Sequence, residues 1–327
     1  MIITMAHGSG GKSTSELIKN IFAKHFSNPY LNKMEDSTVL PAISGRISVT
    51  TDSFVVTPLF FQGGDIGKLA VCGTVNDLLM NGAVPLYLTC GFIIETGTES
   101  ETLEKIASSM AFYARQAGVL IVSGDTKVIE GNGGVYINTA GVGSVPDNRD
   151  ISIYNCSEGD AILVSGTMGD HHAAILSARM NIETNIMSDC AVLNKPVNIL
   201  YKNNICIKAM RDITRGGLGT VLNEISEASG VSIEINEDKI PVSPQVKSFC
   251  GILGLDPLYM GNEGKFVAVV DKEDADRALE LLRTTELGTA AALIGTAKSG
   301  SQVFLNTVVG GRRIIGPLRG EGLPRIC

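Results

Sequence analysis

Ile47-Ser48-Val49-Thr50-Thr51-Asp52-Ser53-Phe54-Val55-Val56 is the stretch on which the fold reading turns. β-branched residues surround Thr50-Thr51-Asp52-Ser53, which predicts a strand. An aspartate in the middle of such a strand is costly to bury unless it is paired or binds a metal. Outward from it, Ile66 opens a helical pattern with Leu69, Ala70, Val75, Leu78 and Leu79 at core-facing spacing, and this run contains Asn76-Asp77. Residues 86–94 then read as a strand and 102–117 as a helix. Residues 119–122 read as a buried strand ending in Ser123-Gly124-Asp125-Thr126-Lys127, and 135–145 as an alternating strand. The order β, α, β, α, β, β is α+β with a mixed or antiparallel sheet, not a strict βαβ array.

A boundary is expected at Pro146-Asp147-Asn148-Arg149. Beyond it, 160–166 reads as a strand, Gly169-Asp170 opens a helix, and a polar stretch at 181–189 breaks the pattern before a helix at 193–201. Residues 205–210 read as a strand that delivers Arg211-Asp212-Ile213-Thr214-Arg215-Gly216-Gly217-Leu218 to the start of another helix. Strands are expected at 231–235, 266–270, 291–294 and 303–309, with a charged-faced helix at 272–282. The expected division is 1–146, 147–315 and a tail of 316–327.

With 327 residues, two domains are the default. The net charge of −7 argues against general nucleic-acid binding, which needs a basic face. No apolar run approaches the roughly 20 residues of a membrane span, and Met1-Ile2-Ile3-Thr4-Met5 lacks the regions of a signal peptide. The expectation is a cytoplasmic protein with neither membrane nor nucleic acid as partner. Seven cysteines, an odd count, leave at least one thiol free. Cys72, Cys90, Cys206 and Cys250 lie in apolar surroundings and are expected to be small buried hydrophobes. No CxxC pair occurs and His171-His172 has no cysteine nearby, so zinc is not expected and the histidines read as helix-start or core residues.

Ala6-His7-Gly8-Ser9-Gly10-Gly11-Lys12-Ser13 imitates a phosphate-binding P-loop, but only five residues precede it where that motif hangs from a buried strand. A glycine-rich segment ahead of a helix can still close over an anion, which makes Gly8, Gly10 and Gly11 candidates. Asp36, Asp52, Asp77 and Asp125 each read as standing at the end or heart of an apolar element. Hard cations such as Mg²⁺ take oxygen ligands, so a triphosphate arriving with them would neutralise the four. Lys127 is placed to reach a phosphate or to move a proton. Asp212 before Gly216-Gly217 is a second anion-facing device, and Asn262-Glu263-Gly264 sets an acid in a tight turn.

The closing Leu323-Pro324-Arg325-Ile326-Cys327 follows Gly316-Pro317, Gly320 and Gly322, which rule out regular structure leading into the last thiol. That thiol is expected to be mobile, with twelve residues from Gly316 spanning at most roughly 40 Å.

Glu35-Asp36-Ser37, Thr50-Thr51-Asp52-Ser53, Val75-Asn76-Asp77-Leu78, Ser123-Gly124-Asp125-Thr126 and Arg211-Asp212-Ile213-Thr214-Arg215-Gly216-Gly217 together resemble the ATP-using superfamily of aminoimidazole ribonucleotide synthetase, thiamine-monophosphate kinase and selenophosphate synthetase. Within it, His7-Gly8-Ser9-Gly10-Gly11, Asn262-Glu263-Gly264 and above all Pro324-Arg325-Ile326-Cys327 resemble the family of hydrogenase maturation factor HypE. The resemblance implies two PurM-like α+β domains, with the N-terminal domains of two subunits pairing into a β-barrel and ATP bound near that interface. It implies that a carbamoyl group is received on Cys327 from the carbamoyltransferase HypF and dehydrated with ATP to a thiocyanate. The cyano group then passes to iron on a HypC–HypD scaffold. Asp36, Asp52, Asp77 and Asp125 with Mg²⁺ would handle the phosphoryl group, and Glu263, Lys127 and His7 are the candidate bases. The chain departs from the commoner superfamily pattern in Glu35, a longer arm than Asp, and in Arg215, basic where relatives carry acids.

Overall fold

The stretch around Asp52 does form a strand, and the computed structural model, which describes residues 1–318, shows what it packs against. An N-terminal arm comes first: a 3-10 turn (Met5–Gly8), then α1 (Lys12–Leu17), running through a π-helical stretch (Ile18–Ala23) into α2 (Lys24–Phe26). Then follow β1 (Arg46–Phe54), a small hairpin of β2 (Phe60–Phe61) and β3 (Gly64–Asp65), α3 (Ile66–Met80), β4 (Val84–Glu95), α4 (Ser100–Ala117), β5 (Leu120–Ile129) and β6 (Val135–Val145). The strands pair in the order β1-β6-β4-β5. Only β4 and β5 run parallel, because α4 carries the chain back across the sheet between them. The sheet is therefore mixed, as expected.

The second half comprises β7 (Ala161–Val164), α5 (Asp170–Arg179), α6 (Asn194–Lys202), β8 (Ile207–Asp212), α7 (Gly217–Ser229), β9 (Val231–Asn236), α8 (Pro244–Leu253), β10 (Phe266–Val270), α9 (Ala275–Arg283), β11 (Ala292–Ser299), β12 (Val303–Asn306) and β13 (Arg312–Ile315). Its seven strands pair in the order β13-β12-β9-β11-β7-β10-β8. β7 and β10 are unbroken apolar runs because both of their faces are covered. Ala161, Leu163, Phe266 and Ala268 join the core shared with α3, while Ile162, Val164, Val267 and Val269 pack with α7.

α3 is the hinge of this arrangement. The Asp65 carboxylate caps it, accepting from the Gly67 and Lys68 amides at 2.8 and 3.0 Å. The helix packs on β1, β6 and α4 on one side and on β8 and α6 of the second half on the other. One hydrophobic core consequently runs through both halves, which explains why α3 is apolar around most of its circumference.

Four expectations are corrected. The strand expected to end before Ser123 continues as β5 to Ile129, since Ser123 to Lys127 pair with Thr89 to Ile93 of β4. Cys206 is exposed, not buried: Ile205 and Ile207 point inward, so the residue between them faces out. The strand expected over 303–309 stops at Asn306 and turns back, closed by the Thr307 amide on the Gly311 carbonyl at 2.8 Å. The returning strand is β13. Finally, Asp36 belongs to no helix or strand. The first sheet ends at Val145 and the second begins at Ala161. Cys327 and most of the expected tail lie outside the described residues. No helix among the described residues is long and apolar enough to cross a membrane.

Candidate active site

Two groups of acidic residues stand apart, and the Asp52 and Asp125 side chains leave opposite faces of the first sheet. Pleating decides which residue joins which. Asp52 registers with Thr139, which is buried against α3, whereas Asp125 registers with Gly91 and through it with Asn138 on the exposed face. The structure therefore does not gather Asp36, Asp52, Asp77 and Asp125 into one cluster. Among the described residues, no group of three or more His, Cys, Asp or Glu is arranged to hold a metal unaided.

The first group opens on a cavity of about 390 Å³ along the free edge of β5, lined by Gly8, Gly10, Glu35, Asp36, Asp125 and Lys127 among others. The N-terminal arm forms its roof. A Cβ on Gly8 would stand 2.8 Å from the Val128 Cβ and 2.9 Å from its amide, so only glycine lets the arm lie this close to β5. Gly11 caps α1 without lining the cavity. Thr38 ties the Glu35-Asp36 segment down by donating its hydroxyl to the Val122 carbonyl at 2.6 Å. Asp125 accepts the Thr126 amide at 2.8 Å and pairs with Lys127 at 3.4 Å. Both side chains are about two-thirds exposed, at 69% and 66%, so they are free to meet a ligand. His7 is elsewhere: its Nδ1 accepts the Thr4 amide at 3.1 Å within the same turn, and it does not line the cavity. Lys12 pairs with Glu16 on exposed helix, in keeping with the rejection of a P-loop.

The second group lies where α3 meets the second half. Thr50 donates its hydroxyl to Asp77 at 2.8 Å, and the Ser53 amide donates to Asp52 at 2.9 Å. Burial raises the proton affinity of both carboxyls, that of Asp52 further through Asp77, while Arg215 opposes the rise at each. Arg215 thus partly neutralises the group. Asp212, at the end of β8, is pushed up to about 7 by burial and then by Asp77 and Asp52, against Arg211.

Glu263 is buried beside them. Its proton affinity is raised well above the ordinary carboxylate value by burial first, then by Cys190, Asp212, Asp189 and Asp52. The turn that carries it is tightly held. Asn262 accepts the Gly169 amide at 2.8 Å, the Glu263 amide donates to Asp189 at 3.1 Å, and Asp189 pairs with Lys265 at 3.6 Å in the interior. A Cβ on Gly264 would fall 1.9 Å from the Asp189 carbonyl oxygen. Asp189 and Lys265 were not singled out from sequence; Asp189 reads there as the end of a polar breaker. His171 and His172 are buried in the first turn of α5, held down to about 3 and about 4 by desolvation, as core histidines.

The last described residues run over α7. Asn223 donates to the Ile315 carbonyl at 3.0 Å, Tyr259 donates its hydroxyl to the Gly316 carbonyl at 2.9 Å, and the Leu318 amide donates to the Thr220 hydroxyl at 3.1 Å. The segment toward Cys327 therefore leaves from the first turns of the helix that Gly216-Gly217 open.

Residues 34–145 match the N-terminal domain, and residues 157–307 the C-terminal domain, of AIR synthase related proteins. Over 99% of its length the chain is 47% identical to the carbamoyl dehydratase HypE of Rhizobium leguminosarum bv. viciae, covering 95% of that protein. With HypE of Escherichia coli the identity is 44%, over 99% of both. The chain belongs to the HypE family. A crystal structure of HypE in complex with ATP superposes with a TM-score of 0.95 at 44% identity over 99% of both chains. HypE from a HypE–HypF complex does so with a TM-score of 0.81 at 48% identity, covering 92% of this chain and 99% of that one. Thiamine monophosphate kinase of Aquifex aeolicus, at 21% identity and a TM-score of 0.64 over 83% of this chain and 91% of its own, shares the fold.

Proposed function

We propose that this chain is an ATP-dependent carbamoyl dehydratase whose substrate is a carbamoyl group carried on the sulfur of its own Cys327. The observation that carries this reading is full-length kinship with HypE proteins, joined to a carboxylate of raised proton affinity, Glu263, at the meeting of the two domains. An S-carbamoyl group loses water only if its oxygen becomes a better leaving group. The carboxamide oxygen attacks the γ-phosphorus of ATP, the bond to the β,γ-bridging oxygen breaks, and ADP departs. Loss of two N–H protons and cleavage of the C–O bond then release phosphate and leave S–C≡N. Catalysis of the phosphoryl step is chiefly positioning and neutralisation of charge.

Gly8 and Gly10 roof the nucleotide while Gly11 starts the helix behind them, Lys127 faces its phosphates, and Asp212 completes the site from β8. Glu263 takes a proton from the amide nitrogen; Lys127 and His7 are the other bases the chain offers. The available ligands are oxygens throughout, which suits a hard divalent cation. Asp36, Asp52, Asp77 and Asp125 would hold Mg²⁺, which would draw its remaining ligands from phosphate and water and neutralise the transferring charge.

The face of the first sheet away from α3 exposes Ile47 and Val49 of β1 and Ile93 of β4, a pattern that supports pairing with a second copy into a barrel. Such pairing offers the two acidic groups, separated within one chain, a common nucleotide. A HypF-type carbamoyltransferase loads Cys327, and a HypC–HypD scaffold receives the cyano group. The six described cysteines are all free thiols, which supports a reducing cytoplasmic setting.

Intact mass of the carbamoylated protein tests the reading. Addition of ATP should remove the mass of water from the adduct, Cys327→Ala should abolish loading, and Glu263→Gln and Lys127→Ala should load normally but stall before dehydration. Full dehydration in either of the last two removes that residue from the mechanism.

A further inference from the structure

The chemistry above leaves Asn76 without a task, yet it is only 2% exposed in the middle of α3, and its carboxamide binds three backbone groups of the second half. Nδ2 donates to the Ala191 carbonyl at 3.0 Å and to the Glu263 carbonyl at 3.3 Å, and Oδ1 accepts the Leu193 amide at 3.0 Å. A carboxamide presents two donors and an acceptor on one planar head. Ionised aspartate could only accept, and leucine would leave buried backbone groups unpaired.

The neighbouring residue faces a different way. Successive side chains on a helix diverge by about 100°, and Asp77 turns to β1, where it accepts from Thr50 at 2.8 Å. One dipeptide thus holds the turn bearing Glu263 with one side chain and belongs to the acidic group with the next. The Glu263 backbone is gripped from both sides, by Asp189 at its amide and by Asn76 at its carbonyl. Only the second grip comes from the first domain.

We propose that Asn76 is a positioning residue for the dehydration, registering the Glu263 turn of the second domain, with Asp212 beside it, against the Asp52 and Asp77 carboxylates of the first. This rests on reading Glu263 as the base. Placement errors near 1 Å cost about a hundredfold in rate. Asn76→Ala is therefore expected to slow single-turnover dehydration of carbamoylated Cys327 by about ten- to a hundredfold, with ATP affinity and carbamoyl loading close to parental and the unfolding midpoint lowered by the backbone groups left without a partner.

A structural role would not predict how the variant combines with a shortened base. Asn76→Ala and Glu263→Asp should be non-additive, the double variant being less impaired than the product of the two single losses. If Asn76→Ala does not fold, near-isosteric Asn76→Asp, which keeps the acceptor and loses the donors, takes its place in the same measurements. A parental rate, or losses that multiply, overturns the proposal. Full activity of Glu263→Gln would instead overturn the reading of the base, so the two failures are told apart.

Discussion

Gly264→Ala puts the most severe strain on the proposed site with the smallest change. Its Cβ would fall 1.9 Å from the Asp189 carbonyl oxygen and 2.9 Å from the Ala191 amide nitrogen, both backbone atoms with no side-chain freedom to retreat. The first contact is about 1 Å inside the closest approach that real Cβ atoms make. Asp189 is itself tied to the Glu263 amide and to Lys265, so the turn has to move as a unit. Overpacking of this kind costs about 1–3 kcal/mol of stability, and a 1 Å displacement of the base costs about a hundredfold in rate. Chemical denaturation would read the first effect and single-turnover intact mass the second. Gly251→Ala is the control: it lies within α8 with no heavy atom within 4 Å of the added carbon, and should gain about 0.5–1 kcal/mol without touching the rate. A Gly264→Ala protein with parental midpoint and parental dehydration would refute the argument that close packing of this turn places Glu263.

Two more outcomes follow from the electrostatics and the open sheet face. The Asp212 carboxyl is pushed from 3.8 up to about 7, so the folded state binds more protons than the unfolded one between those values and is destabilised as pH rises through them. Asp212→Asn should be more stable than the parent above pH 7, with the gap closing toward pH 4 in denaturation curves; a constant gap refutes the shift. Val49 is 67% exposed on the sheet face proposed to pair, so Val49→Lys should convert a dimer into a folded monomer by light scattering, and a persisting dimer moves the interface elsewhere.

The sequence made some of this legible and hid the rest for physical reasons. β-branched runs and helical spacing identified α3, β4, α4 and β10 because burial imposes their periods locally. α8 is readable too, since Ser243 followed by Pro244 is a helix-start signal. The separation of Asp52 from Asp125 was not readable. It depends on strand register, where one residue of slip exchanges the faces. Asn76 and Asp189 escaped for a related reason: Asn76 binds residues 115 to 187 positions away and Asp189 a turn 74 positions on, partners that no local pattern encodes. Cys206 shows the converse, an apolar neighbourhood in sequence that alternation turns outward.

The fastening of Gly316 and Leu318 to Tyr259 and Thr220 sets the scale of the reaction's kinetics. Eight residues lie between Leu318 and Cys327, so nine residue steps give a leash of at most about 30 Å. A group confined to such a radius experiences a local concentration on the order of millimolar. Within an intact dimer, dehydration should therefore be first order in loaded protein and indifferent to dilution, and dissolved thiocarbamates at micromolar levels would not compete for the site.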